Sequence, residues 1–409
     1  MLAGLLLLHV LSRFGDRQGV HYAIQDAALQ IHGIPSDEQA FVKLAQQKRT
    51  VMLCCRQWLG IYEMTVKIGK ATSTAVLPID ENELLEKGGY TRIMSVLRYL
   101  RVTAVVVQGI PKGTLKLAQY LHRRTNINVA FVYHSGVGVH NVAADEVNML
   151  GELAHAAKER KITLAFIEHD HADMFRHMGV PACAVPCTLS NPISTATRAP
   201  AATLRIGVLG TSMRPAVKNF YTQVSAACMV DGAEVHVTDV PDGMQPQSYL
   251  QLCAGKIVKH GKLSSPAFTQ LLGQMDINLC VSWTDAVPNV IGNSLSARVP
   301  VVASDTTPWF DSAPALRSLL VESRVDDPSA IYRRIMRVLR YVREHPDDFT
   351  NDVSDMLYSA HVLAVNSWTC FIRDLACATH ASLPSCPRPF VGTCSNLEGW
   401  QLNATSRTP

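Results

Sequence analysis

The stretch from Leu279 to Asp305, LCVSWTDAVPNVIGNSLSARVPVVASD, constrains this chain more than any other segment. Apolar runs at Ile277 to Val281 and Val299 to Ser304 are bounded by turn signals and read as buried strands, with a helix from Asn289 to Ala297 between them. The chain therefore crosses from one parallel strand to the next through a helix. Polar residues gather where the first strand ends and the helix begins, which is where open α/β sheets bind ligands. A helix amino terminus, with unpaired N–H groups and a partial positive charge, suits an anionic or hydroxyl-rich ligand.

The same alternation runs along the chain. Strands are expected at Val20 to Ile24, Thr50 to Cys55, Val102 to Gln108, Asn126 to His134, Ile162 to Glu168 and Ala182 to Pro186. Helices are expected at Leu2 to Phe14, Asp37 to Gln47, Asn82 to Leu100, Lys112 to Arg124, Asp145 to Arg160 and His171 to Met178. Such alternation implies βαβ units and a parallel sheet. From Thr188 to Thr203 the composition turns to Ser, Asn, Pro, Thr and Ala without period, a linker by composition. A new α/β unit opens with the strand Leu204 to Leu209 and a helix from Ala216 to Val230. It continues through Val235 to Val240, Pro266 to Leu272, the opening segment and a helix from Pro328 to His345.

The expected organisation is a first domain over 1–190, a linker over 191–203, a second domain over 204–352, a helix over 353–378 and a poorly ordered tail over 379–409. A length of 409 residues accommodates two such domains, and 47% apolar with 18% charged residues is ordinary for a globular chain. A net charge of +4 without a basic block implies no nucleic-acid partner. Eleven scattered cysteines, with no paired CxxC, read as buried thiols in a reducing, cytoplasmic setting rather than as a zinc site.

The opening segment resembles the carboxy-terminal domain of the family-4 glycosyltransferases, retaining enzymes of the GT-B fold. Those enzymes carry Ser-x-x-Glu-Gly-Phe-(Pro-Asn)-x-x-x-Glu-Ala-x-Ala-x-Gly-x-Pro-Val-Val-Ala-Ser-Asp around a Glu-x7-Glu pair. Ser282, Pro288, Asn289, Pro300, Val301, Val302, Ala303, Ser304 and Asp305 fall in register. Asp285 stands at the first glutamate, Asn293 at the second, and Arg298 replaces the usual glycine. The resemblance implies an α/β protein of two Rossmann-like domains, with parallel sheets flanked by helices and a last helix crossing back to the first domain. It also implies an opening strand and glycine-rich turn in the first domain, for which the sequence offers no counterpart.

The resemblance assigns roles, each with a plainer reading beside it. Arg214 and Lys218, in LGTSMRPAVKNF, would neutralise a diphosphate leaving group without a metal; the alternative is two solvated cations at a helix start. Asp285 would contact hexose hydroxyls, or be a turn residue. Asn293 would bond the ribose diol less strongly than a carboxylate, or be a polar residue early in a helix. Pro288 and Asn289 open that helix on the donor side. His134, ending INVAFVYHSG, would touch the sugar, or be a satisfied structural histidine, and Ser135 and Gly136 would let backbone come close.

Glu168-His169-Asp170-His171 contains metal-ligand types, but neighbours at a strand end point apart, so no metal is expected. Arginines in VLRYLR and RRIMRVLRYVR leave open a peripheral membrane contact, against the reading of solvated helix faces. The implied activity is transfer of a hexose from a nucleoside-diphosphate sugar to an acceptor, with no cofactor. The alternatives are a degenerate or truncated GT-B protein serving as a scaffold, or another GT-B enzyme such as an epimerase.

Overall fold

A computed structural model describes residues 38–136, 138, 144–194, 202–210, 217–238, 253 and 255–378. The strand expected at Val20 to Ile24, the helix at Leu2 to Phe14 and the tail lie outside the described residues.

The first sheet contains β1 (Thr50–Cys55), β2 (Ala75–Ile79), β3 (Ala104–Gln108), β4 (Asn128–Tyr133), β5 (Thr163–Phe166) and β6 (Ala182–Ala184). Their order is β2-β1-β3-β4-β5-β6, and every pairing is parallel. All residues of β1, β3 and β4 are buried, as a parallel sheet covered on both faces requires. One face packs beneath α1 (Glu38–Lys48), α3 (Glu81–Leu85), α4 (Gly89–Tyr99), α5 (Thr114–Arg124), α6 (Ala144–Lys158) and α7 (His169–His177). The other face packs on Met64 and Ile68 of α2 (Leu59–Thr72) and on the carboxyl half of the last helix.

The second sheet contains β7 (Leu204–Val208), β8 (Ala233–Val237), β9 (Ile257–Lys259), β10 (Ile277–Cys280), β11 (Val301–Ser304) and β12 (Val321–Glu322). Its order is β12-β11-β10-β7-β8-β9, again parallel throughout. Helices α8 (Phe220–Cys228), α9 (Ser265–Gln274), α10 (Asn289–Ser296), α11 (Pro314–Leu320) and α12 (Pro328–Glu344) flank it. The strand order reverses between β1 and β3 in one sheet and between β7 and β10 in the other. Crevices at the carboxyl ends of the strands open at such points.

β1 lies beside the switch point of its sheet and feeds α2 through Arg56, Gln57 and Trp58. Two expectations need correction. The single helix expected over Asn82 to Leu100 is two helices, because Gly88 adopts a left-handed φ of 90° and a Cβ at Gly89 would meet the Glu83 carbonyl oxygen at 2.4 Å. The helix expected from Ala216 begins at Phe220, since Asn219 has φ 54° and interrupts it.

The cysteines also depart from the free-thiol expectation. Cys228 and Cys253 are bonded, their Cα atoms 5.8 Å apart and within bridging range; Cys183 and Cys370 are in disulfides too. The fold brings the end of α8 against the segment before β9, a pairing that local spacing does not encode. Cys54, Cys55, Cys187 and Cys280 remain free and buried.

The last helix, α13 (Pro346–Cys377), spans 32 residues and begins seven positions before its expected start. No helix among the described residues is long and apolar enough to cross a membrane. On α12, Ile331, Ile335 and Val338 face the second core, while Arg334 pairs with Glu322 at 3.4 Å and Arg333 with Asp327 at 3.6 Å. Arg337 and Arg340 are exposed.

Candidate functional site

A cavity of about 400 Å3 lies between the domains, at the carboxyl ends of both sheets. His134 follows β4 on one side; Lys218, Ser282, Asp285, Pro288, Asn289 and Asn293 line it from the other. Six of the seven residues singled out in the sequence thus share one cavity, and the seventh, Arg214, lies outside the described residues.

Local folding explains how Lys218 and Asp285 meet. Gln223, fully buried on α8, donates its amide to the Lys218 carbonyl at 2.6 Å and accepts from the Val281 N–H at 2.9 Å. The loop before α8 is thereby tied to the end of β10, and the Trp283 N–H adds a bond to the Val217 carbonyl at 3.0 Å. Lys218 Nζ forms an ion pair with Asp285 Oδ2 inside the cavity. The cation and the carboxylate expected to serve different parts of a ligand are paired with each other here.

Pro288 precedes the first turn of α10, and no side chain caps that end. Its amino terminus faces the cavity through Pro288, Asn289 and Val290. Asn289 Nδ2 reaches across to the Gly60 carbonyl of α2 at 3.3 Å. Asn293 is buried, and its Oδ1 accepts from Asn191 Nδ2 at 3.0 Å and from Lys67 Nζ at 3.5 Å. Burial lowers the pKa of Lys67, with Glu63 opposing the shift. The amide oxygen is thus occupied by the linker and the first domain, while the position retains its place in the cavity wall.

His134 Nε2 lies 2.7 Å from Gln108 Oε1. Gln108 is fully buried, and its amide nitrogen points at Met52 Sδ, 3.9 Å away, so its oxygen is the group left for the imidazole. Burial pulls the pKa of His134 down to about 3, so the ring is neutral at physiological pH and donates from Nε2. Just beyond it, the backbone approaches the second domain closely: a Cβ at Gly136 would meet Thr284 Oγ1 at 2.8 Å, and one at Gly138 would meet Thr284 Cβ at 2.7 Å.

Glu168 through His171 do not converge. Glu168 precedes α7, His169 to His171 form its first turn, and His171 packs against Phe166 and Tyr133 with ring centroids 4.4 and 5.4 Å away. Among the described residues, no group of three or more His, Cys, Asp or Glu is placed to hold a metal. Glu168 matters electrostatically instead. Burial, then the carboxylates of Asp285, Asp170 and Asp311, raise its pKa to about 7.

Sequence reasoning missed several participants. Lys67 and Asn191 act through partners more than a hundred residues away. Leu263 and Phe268 add apolar lining to the cavity. The signal for Gln108 was present as a polar residue closing the apolar run AVVVQ.

No family model matches the chain, and no curated protein matches it by sequence. Solved structures do match in shape. A trehalose-phosphate synthase (UDP-forming) from Burkholderia xenovorans in complex with glucose-6-phosphate is 13% identical, with 80% of this chain and 99% of that one covered and a TM-score of 0.56. Sucrose-phosphate synthase from Thermosynechococcus elongatus is 9% identical over 80% and 100%, with a TM-score of 0.59. Anabaena HepE in complex with UDP and glucose is 11% identical over 81% and 100%, with a TM-score of 0.54. At these identities the likeness establishes the fold: two Rossmann-like domains in the GT-B arrangement.

Proposed function

We propose that this chain transfers a hexose from a nucleoside-diphosphate sugar to an acceptor. The observation that carries the reading is the convergence of His134, Lys218, Asp285, Pro288, Asn289 and Asn293 on one interdomain cavity.

In such a reaction an acceptor hydroxyl oxygen bonds to the anomeric carbon as the bond to the diphosphate oxygen breaks, negative charge gathers on the leaving diphosphate, and the acceptor proton passes to that diphosphate. Lys218 and the uncapped start of α10 meet that charge, and Arg214, four residues before Lys218 in the sequence, is assigned the same role by the family resemblance. A phosphate entering the cavity exchanges the Asp285 partner of Lys218 for its own oxygens. Asp285 is then released to accept hydrogen bonds from hexose hydroxyls. His134, neutral and oriented by Gln108, offers Nδ1 as an acceptor on the opposite side of the sugar. The Asn293 amide NH2 and Lys67 meet the ribose, and Leu263 and Phe268 flank the base. In this reading catalysis is charge stabilisation and positioning by these side chains, with no cofactor required of the chain.

The test is the melting temperature of the full chain with UDP, GDP and ADP, each with and without magnesium. Ligand at 100 times its Kd stabilises the folded state by about 2.7 kcal/mol. The expected result is a shift with one nucleotide that disappears in Lys218→Ala. A well-folded protein that shifts with none of them overturns the proposal.

A further inference from the structure

We infer that the first domain holds a second pocket, built for an uncharged saccharide ring rather than a phosphorylated one; in the transferase reading, on which this rests, that ring is the acceptor. The pocket, about 480 Å3, is separate from the interdomain cavity. Among the described residues its chemistry comes from Trp58, Glu81, Ile110, Lys112, Asp145 and Glu146. Trp58 follows β1, Glu81 follows β2, Ile110 and Lys112 follow β3, and Asp145 and Glu146 begin the helix after β4. These positions surround the point where the first sheet reverses its strand order, the place where such sheets receive ligands.

The pocket touches the donor cavity through two short stretches of chain. Trp58 directly precedes Leu59 and Gly60, which line the donor side. Ser135, the neighbour of His134, donates to Glu146 Oε2 at 3.0 Å, and the Tyr133 hydroxyl donates to the same oxygen at 3.3 Å. One carboxylate wall of the pocket is thus hydrogen-bonded to the residue that follows the sugar-facing histidine.

Several walls are fixed in advance. Gly109 has φ 74°, and a Cβ there would meet the Trp58 ring at 2.8 Å, so the absence of a side chain is what lets the indole sit where it does. Glu81 Oε1 accepts from the Lys112 N–H at 3.0 Å. Indole and aliphatic carbon suit the C–H face of a pyranose, while carboxylates accept strong hydrogen bonds from its hydroxyls. Three carboxylates against one ammonium make the same walls hostile to a phosphate.

Saturation-transfer NMR on the full chain tests this, titrating glucose, galactose, N-acetylglucosamine, maltose and cellobiose against glucose-6-phosphate. At least one neutral sugar is expected to bind, with glucose-6-phosphate weaker by about tenfold or more, as loss of a charge-assisted contact would give. Glu81→Gln should weaken the neutral sugar by about tenfold, and Asp145→Lys, at an exposed helix start, should move the preference toward glucose-6-phosphate. The inference falls if no neutral sugar binds folded protein, if glucose-6-phosphate binds as well as glucose, or if both variants leave binding unchanged. UDP is titrated separately: sugar binding without UDP binding would sink the transferase reading and leave this pocket standing.

Discussion

Glu168 offers a prediction whose size and sign follow from its surroundings. Its side chain is 16% exposed and faces His171, 3.9 Å away, on its own helix. Across the cleft stand Asp285 and Asp311, and Asp170 follows it in α7. Burial and these carboxylates raise its pKa from 4.5 to about 7. The unfolded chain releases that proton near the ordinary value, so the folded state binds it more tightly. The associated stability is fully present below pH 4.5 and is lost as pH rises through about 7. An interval of this width corresponds to about 3 kcal/mol. Glu168→Gln is neutral at every pH and lacks this loss. Urea denaturation of wild type and variant at steps from about pH 4.5 to 8.5 should give similar stabilities at the acid end, a gap that widens in the variant's favour, and a plateau at the alkaline end. Because other groups titrate alike in both proteins, the difference isolates Glu168. Parallel pH curves would refute the claim that this carboxyl is held protonated by burial and its acidic neighbours.

Three further outcomes are expected. Asp285→Asn removes the carboxylate paired with Lys218, so UDP measured by calorimetry should bind at least as tightly while turnover of UDP-glucose falls; Lys218→Ala should instead weaken UDP by about tenfold or more, and a matching loss in both variants would contradict the division of roles. Gly292→Ala places a Cβ 2.7 Å from Trp309 Cη2 in the second core and should lower stability by about 1–3 kcal/mol in urea melts; an unchanged midpoint would show that the indole yields freely. His134, with a pKa lowered by burial, contributes stability that is present above its ordinary value of 6.5 and lost as pH falls toward about 3; histidine-selective NMR should therefore show its ring neutral at pH 5, and a protonated ring there would contradict the assignment.

Much of the fold was legible because parallel strands buried on both faces are written as continuous apolar runs. TVMLCC, AVVVQ and the two strands of the opening segment are of this kind. β2 was not, because Pro78 interrupts AVLPI; the structure tolerates it there because β2 lies at the edge of its sheet. Helix Leu59–Thr72 also escaped, since its start at Trp58 has no side-chain cap to mark it. Asp285, Asn289 and Asn293 were legible because one rigid strand-turn-helix frame sets their spacing. The partners that determine their state were not. Lys67 meets Asn293 across 226 residues, and Gln223 meets Val281 across 58. The first contact needs one domain packed on the other, and the second needs α8 folded against the end of β10 within the second domain.

The shared helix α13 has a consequence for the order in which the chain can become structured. Its first half, with Phe349, Val353, Met356 and Leu357, belongs to the core of the second domain. Its second half, with Ala364, Trp368, Phe371, Ile372 and Leu375, covers a face of the first sheet. Trp368 Nε1 donates to the Pro186 carbonyl at 3.0 Å, and Asn128 Nδ2 donates to the Leu375 carbonyl at 3.0 Å. A helix of 32 residues is about 48 Å long, enough to reach both bodies. Synthesis delivers every strand of the first sheet before any of the second, yet the part of that face that α13 covers stays open until residues 364–376 leave the ribosome. The domain begun first is thus the one closed last, after its neighbour has been made. We predict that a chain ending at Leu363 exposes this face and binds a hydrophobic dye, and a native-like melt of that truncated chain would contradict the dependence.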